Sequence, residues 1–279
     1  MDPRDFALLL DRFALRAEGY RRVRRGAQKR IVRHMQQLGC PSMRAYLGRL
    51  DADRDAEAEA RRLLDISISR FFRDAEMWQA LETEILPSLL EEFPDGLRVW
   101  SAGCALGQEA YSLAILGALQ AERKPAAPDL RLWATDVNPA YLQRAIEGVY
   151  PAGALARMPA GVRERFFRPA GKNTFRAVEE LREGIRWQVH DLAADPPPAS
   201  DFHIVFLRNN LLTYYRDEIV KAALPAIVDS LVPGGCLVIG RKERLPGFLG
   251  GFAAHRTVPF LYRWVAGFAM SAAGSAAQG

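Results

Sequence analysis

The chain has 279 residues, of which 49% are hydrophobic and 25% are charged. This composition is ordinary for a globular protein of one large or two small domains, and it excludes collagen-like and largely disordered classes. The three cysteines are far apart and show no Cys-x-x-Cys spacing, so we expect reduced thiols, no metal site and a cytoplasmic location. No apolar run reaches the ~18 residues of a membrane span, so we expect no membrane insertion.

The net charge of +5 is unevenly placed. Near the N-terminus, Glu18 is the single acidic residue among eight basic ones: Arg16, Arg21, Arg22, Arg24, Arg25, Lys29, Arg30 and Arg33. Such a cluster is typical of a surface that meets nucleic acid, a membrane face or a protein rich in carboxylates. A solvated helix face remains the alternative.

Residues 5–64 show apolar side chains at helical spacing and predict a helical N-terminal domain, 1–64. The segment that follows places hydroxyls at alternate positions, Ser67 and Ser69, before two phenylalanines and Arg73. A buried aromatic pair beside Arg73 would hold its guanidinium in place, although an N-cap role for Ser69 and a surface ion pair for Arg73 are the plainer interpretation. A helix is predicted from Met77 to the proline at position 87.

Residues 97–113 predict a strand, a glycine turn at Gly103 and Gly107, and a helix. The spacing does not match Gly-x-Gly-x-x-Gly, which argues against a pyrophosphate cradle and favours the adenosine and amino-acid parts of S-adenosylmethionine. The next predicted strand, 130–136, ends at Asp136. A carboxylate there can accept both ribose hydroxyls, or it can cap the helix that follows.

Further strands are predicted at 185–189, 202–207, 236–240 and 260–265, with a hairpin or loop at 166–176 interrupting the alternation. The helix from residue 218 to residue 231 is predicted to end at Pro233-Gly234-Gly235, and residues 270–279 form a disordered tail. Strands that alternate with helices predict a mostly parallel sheet. Arg73, the glycine turn, Asp136, Asp191 and Asn209 would then converge at its carboxyl edge.

Five blocks, in this order, carry a resemblance to a known family: Phe71-Phe72-Arg73-Asp74, Val99-Trp100-Ser101-Ala102-Gly103-Cys104, Ala134-Thr135-Asp136, Arg208-Asn209 and Pro233-Gly234-Gly235. Over residues 20–264 the chain resembles the CheR-type chemotaxis receptor methyltransferases. The resemblance implies an α/β fold, in which a Rossmann-like class I methyltransferase domain, 65–269, follows the all-helical domain and contains a small antiparallel insertion near 166–187. It also implies methyl transfer from S-adenosylmethionine to glutamate carboxylates on the cytoplasmic helices of chemoreceptors, with S-adenosylhomocysteine as product.

Carried over residue by residue, the resemblance implies a cofactor-binding set of Ser67, Ser69, Arg73, Gly103, Gly107, Gln108, Glu109, Asp136, Asp191, Leu192, Arg208 and Asn209. Within it, Gln108 or Glu109 would meet the methionine ammonium and Asp191 the adenine amino group. Arg73 and Tyr214 would be the catalytic residues. The segment after Arg208 is one residue longer than in the family, so either Thr213 or Tyr214 fills the tyrosine position, and we favour Tyr214 because it is a tyrosine.

The receptor helices would bind the basic segment between Arg21 and Arg33, and we expect a monomer with no stable nucleic-acid partner. A glutamate acceptor is already ionised at neutral pH, so no general base is required. Two alternatives remain open. One is a regulatory module that binds the cofactor without transferring its methyl group. The other is a methyltransferase acting on a different carboxylate, a small molecule or nucleic acid.

Overall fold

A computed structural model describes residues 1–67, 69–123, 129–156, 158–159 and 161–265. The predicted tail, 270–279, lies outside them. The helices are α1 (Pro3–Arg12), a 3₁₀ turn (Ala17–Tyr20), α2 (Arg24–Gln37), α3 (Met43–Ala52), α4 (Arg54–Leu64), α5 (Ala75–Ala80), a π-helical turn (Leu81–Ile85), α6 (Leu86–Glu92), α7 (Gln108–Arg123), α8 (Pro139–Glu147), α9 (Ala152–Leu155), α10 (Val162–Phe166), α11 (Glu179–Glu183), α12 (Leu211–Tyr214) and α13 (Asp217–Asp229). The strands are β1 (Leu97–Ala102), β2 (Leu130–Asp136), β3 (Val149–Pro151), β4 (Phe167–Gly171), β5 (Thr174–Ala177), β6 (Ile185–Val189), β7 (Phe202–Leu207), β8 (Leu231–Ile239), β9 (Phe252–Ala254) and β10 (Leu261–Trp264).

The N-terminal helices begin where the sequence supplies side-chain acceptors for their first backbone N–H groups. Asp2 accepts hydrogen bonds at the start of α1, Ser42 at the start of α3 and Asp53 at the start of α4. The inward faces of these helices form their own hydrophobic cluster, which includes the fully buried Leu9 and Tyr46. Residues 5–64 are therefore mostly helical, as the apolar spacing predicts.

The main sheet has seven strands in the order β6-β2-β1-β7-β8-β10-β9. The first five are parallel, and β10 runs antiparallel to both β8 and β9. Every residue of β7, the central strand, is buried, which fits its uninterrupted apolar sequence. The mostly parallel sheet with one reversed strand and N-terminal helices confirms the predicted Rossmann-like class I methyltransferase fold.

A second, three-stranded antiparallel sheet has the order β3-β5-β4. The predicted insertion at 166–187 contains β4 and β5 of this sheet. It omits β3, and its last three residues lie in β6 of the main sheet.

Two helix ends differ from the sequence prediction. The helix expected to stop at Pro87 continues through a π-helical turn into α6, and Pro87 is the second residue of α6, directly after that irregular turn. The helix expected to reach residue 231 ends at Asp229, so that prediction was wrong, as was the placement of Pro233-Gly234-Gly235 at a helix end. These three residues lie inside β8, beside a register shift that places Gly234 at φ +81°.

The N-terminal helices are joined to the sheet domain by backbone hydrogen bonds as well as by packing. Leu15 and Tyr215 form an antiparallel bridge, in which the Arg16 N–H donates to the Tyr214 carbonyl at 2.7 Å. Across the same junction the Arg216 N–H donates to Ala14 at 2.9 Å. Among the helices in the described ranges, none is long and apolar enough to cross a membrane.

Candidate cofactor and acceptor site

A cleft opens at the carboxyl ends of the parallel strands, between the sheet and the N-terminal helices. It encloses about 970 Å³, including space open to solvent. Four residues that line the cleft lie at or just after the end of a parallel strand: Gly103 after β1, Asp136 at the end of β2, His190 after β6 and Arg208 after β7. The helical side contributes Tyr20, Arg61 and Asp65. This is the edge of an open α/β sheet at which ligands bind.

The glycine turn after β1 is shaped by backbone that other residues adopt poorly. Gly103 and Gly107 have φ values of +79° and +84°, and Ala105 between them has φ +51°. A side chain at Gly103 would overlap the Asn210 amide, which donates to the Ala102 carbonyl. Glycine at position 103 therefore leaves room for the Asn210 amide next to the turn. Gly107 does not line it, because Trp187 and Ala145 pack against that glycine.

Asp136 links the glycine turn to the next loop. Its Oδ2 accepts the Ala105 N–H at 2.9 Å, and its Oδ1 accepts the Asn138 N–H at 2.9 Å. Burial raises the pKa of this carboxyl to about 6, although the two backbone N–H groups oppose the shift. Each oxygen keeps a further lone pair that can accept a ligand hydroxyl. The residue that caps α8 is Asn138, so the alternative in which Asp136 is the cap was wrong, and the ribose-binding role of Asp136 stays a prediction.

Arg208 is the centre of a buried ion-pair network. Its side chain is 3% exposed, and its guanidinium donates to Glu109 at 2.9 Å and to Asp74. Glu109 also accepts the Ser101 hydroxyl at 2.9 Å. The network joins three segments that are distant in sequence: the start of α7, the Arg73 segment and the loop after β7. Since both carboxylates already have partners, they hold Arg208 in place against the cleft.

Arg73 lies between two residues with left-handed backbone, Phe72 at φ +48° and Asp74 at φ +62°. Hydrogen bonds fix the segment on both sides: the Phe72 N–H donates to the Ser112 hydroxyl at 3.0 Å, and the Trp78 indole donates to the Arg73 carbonyl at 2.8 Å. The Arg73 side chain lines the cleft, is 37% exposed, and has its Nε 3.9 Å from Asp74. Backbone strain at such a point is typical of functional sites.

The structure separates the two candidates for the tyrosine position. Tyr214 lines the cleft, where its ring packs edge-on against Tyr20 with centroids 5.2 Å apart. Burial raises the pKa of its hydroxyl, the Glu243 charge raises it further, and the Arg73 charge lowers it. Thr213 instead donates its hydroxyl to Glu243. Of the two, Tyr214 is the one that lines the cleft.

Of the predicted site residues, nine line the cleft: Ser69, Arg73, Gly103, Glu109, Asp136, Leu192, Arg208, Asn209 and Tyr214. Four do not: Ser67, Gly107, Gln108 and Asp191. Gln108 is buried, and its carbonyl oxygen has no hydrogen-bond partner among the described residues. The Asp191 carboxylate accepts the Ala193 N–H at 2.9 Å. The functional roles of all thirteen stay predictions.

The sequence analysis did not find several cleft residues. Arg61 is one: its guanidinium bonds Asp65 at 2.7 Å and the Tyr215 hydroxyl at 2.5 Å, and Asp65 in turn accepts the Asn138 amide at 3.3 Å. Tyr20 is another, since its hydroxyl donates to the Leu64 carbonyl at 3.0 Å. In the sequence, both have the pattern of ordinary amphipathic helix residues. They line the cleft because of the way in which the helices pack on the sheet domain, which local sequence patterns do not predict.

The cleft fits an S-adenosyl ligand on three observations. Gly103 and Ala105 line the cleft with backbone at positive φ, and Asp136 offers buried acceptor oxygens for hydroxyl groups. His190 Nε2 lies 2.8 Å from the Pro196 carbonyl, so that nitrogen carries the proton and leaves Nδ1 as an acceptor. Among the described residues, neither His190 Nδ1 nor Arg208 Nε has a partner, although both are buried. Such atoms are costly unless a ligand or water bonds them. Within the same ranges, no acidic, His or Cys cluster could hold a metal ion.

The comparisons with known proteins agree with this site. Residues 67–257 match the model of the CheR methyltransferase, SAM binding domain. A chemotaxis protein methyltransferase of Listeria innocua serovar 6a is 37% identical over 183 residues, which cover 66% of this chain and 67% of that protein. An uncharacterized 104.1 kDa protein in the hypE 3' region of Rhodobacter capsulatus is 36% identical over 220 residues, and this chain spans 23% of its length.

Among solved structures, a TehB-like SAM-dependent methyltransferase from Corynebacterium glutamicum is 16% identical, covers 68% of this chain and 93% of that chain, and has a TM-score of 0.38. The family match covers well over half of the chain, and it contains all five sequence blocks together with most of the cleft. The S-adenosylmethionine expected from the glycine turn and Asp136 is the ligand of that domain. The chain belongs to the CheR family of S-adenosylmethionine-dependent methyltransferases.

Proposed function

We propose that this protein transfers a methyl group from S-adenosylmethionine to glutamate carboxylates on the cytoplasmic helices of chemoreceptors, and so acts in the cytoplasm. The observation that carries the proposal is that Arg73 and Tyr214 line the same cleft as Asp136 and His190. A cation and a phenol in the lining of a cleft suit an anionic acceptor. The relatives named chemotaxis protein methyltransferase support the acceptor class.

The bound cosubstrate supplies a methyl group on a positively charged sulfur. A glutamate acceptor, with a pKa of about 4.3, is ionised at neutral pH, so one of its oxygens can form the new bond without losing a proton. What this chain must provide is orientation, which contributes up to roughly 7–11 kcal/mol in favourable cases. A general base is not required.

Each cleft residue then has a role that its contacts permit. Arg73 orients the acceptor carboxylate from a segment fixed by Ser112 and Trp78. Tyr214 borders the reacting carbon and donates its hydroxyl to the acceptor, because burial and Glu243 keep that phenol protonated. Asp136 accepts ribose hydroxyls.

The basic segment is the proposed receptor contact, and the structure divides it into two groups. Five of its residues are exposed: Arg21, Arg22, Arg25, Lys29 and Arg33. Arg30 instead donates to the carbonyls of Leu63 at 2.7 Å and Asp65 at 3.0 Å, which holds α2 against the end of α4. The exposed group is therefore the part that can meet carboxylates on a receptor helix.

The test is incubation with labelled S-adenosylmethionine and receptor cytoplasmic fragments, followed by mass spectrometry of the acceptor peptides. A mass gain of one methyl group on glutamate, removed by mild alkali, is expected of a methyl ester. Arg73→Ala should lower turnover more than tenfold while S-adenosylhomocysteine still binds. Binding without transfer to any fragment would contradict the proposal and indicate a regulatory module. A product stable to alkali would indicate a different acceptor.

A further inference from the structure

We propose that Glu243 and Thr213 are positioning residues that fix the segment after β7 in the one register that turns Tyr214 toward the cleft. Glu243 follows β8, and Thr213 lies in α12, 30 positions earlier in the chain. Neither residue lines the cleft. The inference deepens the proposed function, and its kinetic part rests on the role of Tyr214 in that function.

Glu243 is buried, and its carboxylate accepts hydrogen bonds from three different places. One oxygen accepts the Thr213 hydroxyl, and the other accepts the N–H groups of Asn209, at 3.0 Å, and Gly240. A buried carboxylate is costly unless it is bonded in this way, and burial raises its pKa while the three donors oppose the rise. The carboxylate therefore holds both ends of the segment 209–213 against the end of β8.

The residues around the Glu243 carboxylate, Gly240 and Asn209, are packed closely against it. A Cβ at Gly240 would lie 2.7 Å from the Glu243 carboxylate and 2.8 Å from the Asn209 side chain, so the space for a methyl group is already filled. Asn209 has φ +55°, a conformation that its N–H bond to Glu243 helps to hold. Two backbone N–H groups occupy one carboxylate oxygen, and the other oxygen accepts the Thr213 hydroxyl.

The bond decides which side chain faces the cleft. Thr213 and Tyr214 are adjacent in the short helix α12, so their side chains point in directions that differ by about 100°. With Thr213 fixed on Glu243, Tyr214 is turned to the cleft and to Tyr20. This explains how a segment one residue longer than the family pattern can still present a tyrosine.

The test compares two variants of one residue. Thr213→Val keeps the volume and removes the hydroxyl, whereas Thr213→Ser keeps the hydroxyl. Thr213→Val should lower kcat about tenfold, as the loss of one buried hydrogen bond implies, with the KM for S-adenosylmethionine within about twofold of wild type. Thr213→Ser should recover most of the rate. In a Tyr214→Phe background, Thr213→Val should cost much less, because the effect passes through the Tyr214 hydroxyl.

A measurement independent of methyl transfer follows the Tyr214 ring itself. In protein with ¹³C-labelled tyrosine, the Tyr214 resonance, assigned with Tyr214→Phe, should shift in Thr213→Val and stay in place in Thr213→Ser. Glu243→Gln, which retains an acceptor oxygen for the two backbone N–H groups, provides a milder second perturbation and should give a smaller shift. An unmoved Tyr214 resonance in Thr213→Val would overturn the inference. A shifted resonance in a protein that methylates no receptor fragment would support the positioning role and refute the proposed function.

Discussion

Removing the Arg208 cation tests whether the site is held together by its buried ion pairs. In Arg208→Met the side chain keeps its apolar length, but Glu109 and Asp74, which are 13% and 16% exposed, lose their common partner. Removing one member of a buried pair costs about 3–5 kcal/mol, because it leaves charge in a poorly solvated place. At about 2–4 °C per kcal/mol, the melting temperature should fall by roughly 6–20 °C.

Thermal unfolding followed by circular dichroism, together with urea titration, measures the change. Arg49→Met is the matched control, since Arg49 is 52% exposed and pairs with Asp53 one helical turn away. That variant should cost less than about 1 kcal/mol. Adding Glu109→Gln and Asp74→Asn to Arg208→Met should recover most of the loss, because no unpaired charge remains. The reasoning fails if Arg208→Met melts within roughly 2 °C of wild type, or if the triple variant is no more stable than the single one.

Three further outcomes are expected. The pKa of Asp136, about 6, predicts that the affinity for S-adenosylhomocysteine is constant above about pH 7 and falls up to about tenfold as the pH falls from about 7 to about 5 and the carboxylate is protonated. Because the folded state binds this proton more tightly than the unfolded chain does, the contribution of Asp136 to the free energy of unfolding falls as the pH rises from 3.8 to about 6. In calorimetric titrations Gly103→Ala should weaken the same ligand more than tenfold, whereas Gly153→Ala, with open space around it, should not. Arg33→Ala should weaken receptor binding in a salt-dependent manner, while Arg30→Ala should lower the melting temperature.

The parts of the fold that the sequence predicts depend on local signals. The strand that ends at Asp136 is predicted by a short apolar run. The turn at Gly103 is predicted because a glycine, which can adopt positive φ, directly follows another such run. The prediction from Pro233-Gly234-Gly235, that these residues lie at a helix end, was wrong. This triplet ordinarily marks a turn, but here the glycine at φ +81° allows β8 to pass through an irregular register and begin pairing at residue 231.

The parts that the sequence does not predict are pairings across long distances in the chain. Gln108 or Glu109 was predicted to meet the cofactor, but the bond between the Glu109 carboxylate and Arg208, 99 positions later, was not predicted. Glu243 bonds Asn209 and Thr213 over 34 and 30 positions. A charged residue in a polar loop lies in no periodic pattern from which its burial could be predicted. These contacts form because the order of strands in the sheet brings distant segments together, and no single segment predicts them.

The N-terminal helices are part of the site and not an appendage to it. Tyr20 packs on the ring of Tyr214. At the Leu15–Tyr215 bridge, the Arg16 N–H also donates to the backbone carbonyl of Tyr214. The residue next to Tyr20 in the chain is Arg21, the first of the exposed cations. If the proposed receptor contact is correct, an acceptor helix held by those cations would lie beside one wall of the cleft, because Arg21 directly follows the side chain that contacts Tyr214. Receptor binding and orientation of the acceptor would then depend on the same short stretch of backbone, and a change that loosens it should weaken both together.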